Sequence, residues 1–114
     1  MLASPAVSAP WQTHAPIELS PSDTSVVIDV GEKIGLIDNI RFQIEGSTVA
    51  LDALTIIPPK GDPIALRIPA MLKSGESSGL INIPGKGAII DSLRLQYRIT
   101  TGKPAQITFR FKPD

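Results

Sequence analysis

Apolar and polar residues alternate one for one along much of this chain, and no long stripe recurs at the roughly 3.6-residue spacing of a helix. Ile40, Phe42 and Ile44 alternate with Arg41, Gln43 and Glu45, and Val26, Ile28 and Val30 alternate with Val27 and Asp29. Both read as half-buried strands. Leu54 and Ile56, then Ile64, Leu66 and Ile68, continue the pattern, and Pro58-Pro59-Lys60-Gly61-Asp62 between them has the chemistry of a hairpin turn. Ile81 and Ile83 predict a short strand that Pro84-Gly85-Lys86-Gly87 ends, because proline has no N–H for a ladder and glycine accepts positive φ. Leu93, Leu95, Tyr97 and Ile99 against Arg94, Gln96, Arg98 and Thr100 form the longest clean alternation. After Thr101-Gly102-Lys103-Pro104, Ile107, Phe109 and Phe111 predict a last strand, with Thr108, Arg110 and Lys112 on its other side.

Short strands separated by frequent turns, without helical crossovers, predict an all-β fold: one antiparallel β-sandwich of about eight strands, jelly-roll or immunoglobulin-like in topology. Eleven prolines and nine glycines supply the punctuation. Residues 1–16, with Pro5, Pro10 and Pro16 among Ala and Ser, read as an extended lead-in, and residues 17–114 as the sandwich domain. The lead-in has neither the basic start nor the apolar centre of a signal peptide. Mature exported proteins often begin in this way.

An internal repeat adds a local prediction. Ile37-Asp38-Asn39-Ile40-Arg41-Phe42-Gln43-Ile44 aligns with Ile90-Asp91-Ser92-Leu93-Arg94-Leu95-Gln96-Tyr97, and Leu51-Asp52-Ala53-Leu54-Thr55-Ile56 is a weaker third copy. In each, the apolar residue before the Asp and the one two places after it are three apart, which puts them on opposite faces of a straight strand. A bulge or bend at Asp38, Asp52 and Asp91 is therefore expected, with these carboxylates structural first and ligands second.

Composition narrows the function. The 114 residues carry 11 basic and 11 acidic side chains with no net charge, so no field draws a nucleic acid or an anionic membrane. No apolar run approaches the roughly 20 residues of a transmembrane helix. With no cysteine, thiol nucleophiles, thiolate metal sites and disulfides are all excluded. His14 is the sole histidine and lies in the lead-in without an orienting partner, so it reads as a surface residue rather than a base.

No serine sits in a Gly-x-Ser-x-Gly elbow, and Ser74-Gly75-Glu76-Ser77-Ser78-Gly79 reads as a flexible loop. Gly85-Lys86-Gly87 lacks the spacing and the following helix of a phosphate loop. The acidic residues do not follow an EF-hand pattern, and few aromatics are present to stack sugars. No catalytic residue, cofactor or metal is expected. The one candidate surface follows from the repeat: Arg41 and Gln43 share the phase of Arg94, Gln96 and Arg98, and together they form an Arg/Gln face if their strands share a sheet. Planar guanidinium forks suit carboxylates and phosphates.

The order of motifs from Gly35 to Tyr97 resembles a family of small bacterial exported β-sandwich proteins of unknown function. The likeness rests on the Asp-led strand Asp38-Asn39-Ile40-Arg41, a second strand from Val49 to Ile57, a Pro/Gly turn, the strand from Ile64 to Ile68, a Ser/Gly loop, Ile81-Asn82-Ile83-Pro84-Gly85, and Ile90-Asp91-Ser92-Leu93-Arg94. The resemblance implies a periplasmic or secreted location and assigns no activity. The expected function is thus a non-enzymatic cell-envelope or secreted accessory domain that binds a protein partner, with a small-ligand module for an acidic or carbohydrate ligand as the alternative.

Overall fold

The alternating segments pair antiparallel into two sheets whose apolar faces meet. A computed structural model describes residues 11–85 and 87–113. Residues 1–10, the larger part of the expected lead-in, and Lys86 of the expected Gly-Lys-Gly turn lie outside the described residues. The strands are β1 (Gln12–Thr13), β2 (Ile17–Leu19), β3 (Ser25–Asp29), β4 (Leu36–Glu45), β5 (Val49–Ile57), β6 (Ile64–Leu66), β7 (Met71–Leu72), β8 (Ile81–Asn82), β9 (Ala88–Ile89), β10 (Ser92–Arg98) and β11 (Ala105–Pro113). The described residues contain one 3-10 turn, Glu32–Ile34, and no helix long and apolar enough to cross a membrane.

In the first sheet, which curls into a half-barrel, β11 and β4 are central; β1 and β2 both pair with β11, and β8 and β9 both pair with β4. In the second, β3, β10 and β5 lie side by side, and β6 and β7 both pair with β5. The chain changes sheet at six of its ten connections; β1–β2, β5–β6, β6–β7 and β8–β9 stay within one sheet. The β5–β6 connection is the predicted hairpin, with Leu54 opposite Leu66 and Ile56 opposite Ile64. Gln12 and Thr13, inside the expected lead-in, pair with Phe111 and Arg110 and so belong to the first sheet.

The inward phase of each long strand is the apolar one predicted. Ile40, Phe42 and Ile44 of β4 and Ile107, Phe109 and Phe111 of β11 meet Leu93, Leu95 and Tyr97 of β10 and Leu54 and Ile56 of β5, all buried. Phe109 is the centre of an aromatic row, with ring centroids 5.3 Å from Phe42 and 6.1 Å from Phe111. The odd spacing in the repeat is absorbed as expected. Between β4 and β11 the register steps from Asn39–Lys112 to Ile37–Pro113, leaving Asp38 as the extra residue. Between β5 and β10 it steps from Ala53–Gln96 to Leu51–Tyr97, leaving out Asp52. Asp91 occupies the corner between β9 and β10. With one residue bulged out, both members of the pairs Ile37/Ile40, Leu51/Leu54 and Ile90/Leu93 turn inward and are buried. Gly87 closes over the first bulge with φ of 91°, and a Cβ there would lie 2.6 Å from the Ile37 carbonyl oxygen and 2.8 Å from Asp38 Oδ1.

Tyr97 ties the sandwich to the loop ahead of β3, its buried hydroxyl donating to the Ser20 carbonyl at 2.9 Å. Burial, and after it the negative charge of Asp23, raise this phenol above its ordinary 10.0.

Four outcomes are expected in urea unfolding and titration. Phe109→Ala should cost about 3–5 kcal/mol, a large share of a typical domain's stability. Gly87→Ala should cost at least about 1 kcal/mol, since it combines a left-handed φ with a backbone clash. The Tyr97 phenol should ionise above pH 10 in a near-ultraviolet absorbance titration. Because its folded pKa exceeds its unfolded one, its contribution is complete below the unfolded value and is lost as pH rises through the folded value. Tyr97→Phe should remove that alkaline loss and cost about 1 kcal/mol at neutral pH.

Candidate functional site

No buried side-chain nitrogen or oxygen among the described residues lacks a hydrogen-bond partner. The interior thus holds no polar group waiting for a ligand, and binding chemistry must be sought on the outer faces and at the rim.

The five residues expected to form one Arg/Gln face do not share a sheet. Arg41 and Gln43 project from β4 in the first sheet, whereas Arg94, Gln96 and Arg98 project from β10 in the second. Both strands turn their apolar phase to the same interior, so their polar phases point away from each other. The repeat encodes two similar bulged strands at the middle of opposite layers, not neighbours in one layer.

On the second sheet, Arg98 is already engaged. Its Nε donates to Asp52 Oδ2 and its Nη2 to Asp52 Oδ1, each at 3.1 Å, and this carboxylate raises the guanidinium above its ordinary range. The bulge that releases Asp52 from the ladder places it there. Arg94 stands in a cross-strand row between Val27 and Thr55, and Gln96 lies opposite Ser25 and Ala53.

The first sheet is different. Arg41 of β4 lies directly opposite Arg110 of β11, and Gln43 opposite Thr108. The backbone of Phe42 and Ile44 is bonded to Ser78 and Glu76 on the other side of β4, so Arg41 and Arg110 form a hydrogen-bonded pair, with Cα atoms about 5.5 Å apart in such geometry. Like charges so placed oppose folding. Among the described residues the Arg98–Asp52 pair is the one salt bridge, so neither Arg41 nor Arg110 has a carboxylate within 4.0 Å. Arg41 lies over the Trp11 ring, its Cζ 5.6 Å from the centroid, which holds the guanidinium plane in place.

Arg41, Gln43, Ser77, Thr108 and Arg110 line a depression of about 120 Å³ with Phe42 at its floor. That size suits one carboxylate or sulfate group. Its polar lining offers two guanidinium forks and two hydroxyls, all able to donate. Charge along this outer face is graded. Lys112, Arg110 and Arg41 occupy one end, while Glu18 and Glu45 flank Gln106 at the other, and Gln43 Nε2 donates at 3.3 Å to Glu45 Oε1.

Other sequence candidates resolve structurally. His14 Nδ1 lies 2.9 Å from the Ala15 carbonyl and Nε2 2.9 Å from the Asp29 carbonyl, so both ring nitrogens face backbone and neither faces a nucleophile. Asp38 packs against Gly87, and the Asp91 carbonyl accepts from the N–H groups of Val30 and Gly31. No three His, Cys, Asp or Glu side chains among the described residues are grouped to hold a metal. Ser74, Glu76, Ser77 and Ser78 of the expected flexible loop strap the edge of β4: Gly46 N–H donates to Ser74 Oγ, Phe42 N–H to Ser78 Oγ, and Lys73 N–H to Glu76 Oε1. A second cavity, about 540 Å³, opens between the β5–β6 turn and β9 and is lined mainly by Leu36, Pro58, Pro59, Ile64, Ala88 and Ile89.

Sequence reasoning missed Arg110, Thr108, Ser77 and Trp11. Arg110 and Thr108 were visible as the polar phase of the last strand, but no sequence signal specifies that this strand lies against β4. Comparison with known protein families finds no family model that matches this chain, and comparison with curated proteins finds no match.

Replacing Arg110 by Gln should raise the urea midpoint slightly by relieving the cross-strand repulsion, and the gain should shrink as salt is added. Arg94→Gln, which relieves no such pair, should leave the midpoint unchanged.

Proposed function

We propose that this domain is a non-catalytic binding module that holds an acidic segment of a protein partner on the outer face of the first sheet. One observation carries the reading: two arginines stand directly opposite each other on adjacent strands, with no carboxylate within ion-pair distance among the described residues. Such an arrangement costs the free protein stability, and a bound anion reverses the sign of that interaction. Arg98, bonded on both nitrogens to Asp52, is the internal contrast. The graded charge of the face favours a chain whose acidic residues lie at the Arg end and whose basic ones lie toward Glu18 and Glu45.

Within the same reading, the framework is a jelly roll of about eight ladder positions rather than an immunoglobulin sandwich. What supports this is the alternation of successive strands between the sheets, with the end-to-end pairs β1/β2, β6/β7 and β8/β9 each counted as one position. Work in the cell envelope or as a secreted protein belongs to the proposal too, and the resemblance of Gly35 to Tyr97 supports it. The alternative, a small-ligand module, draws on the cavity beside the β5–β6 turn, whose volume of about 540 Å³ is within the range of ligand sites. Apart from Lys60 and Asp62 its lining is aliphatic and proline-rich, without an aromatic ring on which a sugar could stack.

The test uses a fluorescent peptide of alternating Glu and Gly, followed by anisotropy. The wild-type chain should bind it, and more weakly as salt rises. Arg41→Ala and Arg110→Ala should each weaken binding by about tenfold or more, the worth of one charge-assisted hydrogen bond, while Arg98→Ala should change it little. Equal affinity of wild type and an Arg41→Ala/Arg110→Ala double variant would remove this face from the account.

A further inference from the structure

β3 is an outer strand of the second sheet, paired with β10 and with nothing else among the described residues. The hydrogen bonds at its ends fix which of its backbone groups are spare. Tyr97 N–H donates to the Thr24 carbonyl and Val30 N–H to the Asp91 carbonyl, so Thr24, Val26, Ile28 and Val30 direct their backbone groups at β10. Ser25, Val27 and Asp29 direct theirs away from the sheet. The position of His14 agrees, since its Nε2 meets the Asp29 carbonyl from that outer side.

The other three sheet edges are each broken into pieces of two or three residues: β1 with β2, β8 with β9, and β6 with β7. Very short edge strands are one of the ways proteins prevent pairing with other chains. Of the usual protections β3 has only the charge of Asp29 and the His14 ring at the Asp29 carbonyl, both at its last residue. Its five residues, Ser25-Val26-Val27-Ile28-Asp29, include no lysine, proline or glycine, and its register with β10 is unbroken. Val27 at the middle is 57% exposed, and three consecutive β-branched residues favour extended pairing.

We propose that β3 is a self-pairing edge, through which two copies of this chain join antiparallel across a two-fold axis at Val27. Parity restricts the two-fold axis to a residue rather than a position between residues, and the centre of the five-residue strand, which pairs the most outward residues, selects Val27. Only outward-directed residues can exchange ladder bonds, and an axis at Val27 sets Val27 against Val27 and Ser25 against Asp29, all of them outward. An axis between Val26 and Val27 would oppose an inward to an outward residue and make no ladder. The two Val27 residues exchange N–H···O=C bonds and each Ser25–Asp29 pair does the same, the Asp29 carbonyl accepting from the Ser25 N–H of the other copy on the lone pair that His14 Nε2 does not use. Side chains agree with this register: the exposed valines cover each other, and each Asp29 faces a serine rather than a like charge. The contact is isologous and closes at two copies. An edge of five residues gives a small interface, so the dimer is reversible and concentration-dependent. It merges the second sheets of two copies and leaves both Arg41/Arg110 faces free, making the assembly bivalent.

Sedimentation velocity from micromolar to millimolar protein tests this. The wild-type chain should pass from monomer to dimer mass. Val27→Pro removes an N–H that the β3–β10 ladder does not use, and Val27→Lys sets two cations against each other at the axis. Both should stay monomeric across the range with an unchanged circular dichroism spectrum. The chain has no cysteine, so Val27→Cys with a short bifunctional thiol reagent should give a covalent dimer, while Thr108→Cys on the outer face of the first sheet should not. If Val27→Pro fails to fold, the lysine variant and the cross-link decide. A wild type that remains monomeric, a dimer that survives Val27→Lys, or a Val27→Cys chain that does not cross-link would each overturn the proposal. None of these readouts depends on peptide binding by Arg41 and Arg110.

Discussion

The structure depends on one shared apolar interior, closed from both sides by the same kind of strand. β4 and β11 contribute isoleucines and the three phenylalanines, and β10 and β5 contribute leucines, isoleucine and Tyr97. The rest follows from the two-residue side-chain period, because once one phase is committed to that interior the other phase must face outward. Two separate polar surfaces result, one per layer. The repeat that places arginine and glutamine at equivalent positions of β4 and β10 therefore builds two surfaces rather than one.

The bulges at Asp38 and Asp52 show how a strict period accommodates an imperfect sequence. Three-residue spacing between Ile37 and Ile40, or Leu51 and Leu54, would expose one member of each pair on a regular strand. Taking the Asp out of the ladder restores burial and leaves that residue without a cross-strand partner. The two carboxylates then serve different ends. Asp38 meets Gly87, where a side chain has no room, and Asp52 occupies both nitrogens of the Arg98 fork. Arg98 is neutralised in this way, which leaves Arg94 as the one arginine of β10 without an ion pair among the described residues.

The Arg41–Arg110 pair is an arrangement that folding alone does not favour. Repulsion between directly opposed cations is tolerable at an exposed position because solvent and salt screen it, and Trp11 holds one guanidinium by its ring face. A surface of this kind is poised for an anion without needing an enclosed pocket. The open edge of β3 is of the same character. Both features leave potential interactions unmade in the isolated chain, one of charge and one of backbone hydrogen bonding, and both lie away from the interior that sets stability.

The sequence by itself determined the strand class, the apolar phase of each long strand, the hairpin between Leu54 and Leu66 and the irregularities at three aspartates, because each rests on contacts or conformations within a few residues. Periodicity is a local property, and the polar character of Arg41, Gln43, Thr108 and Arg110 was visible with it. Which strands lie side by side was decided only by the tertiary structure. Pairing of β11 with β4 joins segments more than sixty residues apart, and it depends on the closing of two layers over a common interior rather than on any local preference. That long-range choice brought Arg110 beside Arg41, sent Arg94 and Arg98 to the opposite side, and left β3 with β10 on one side and no other strand among the described residues.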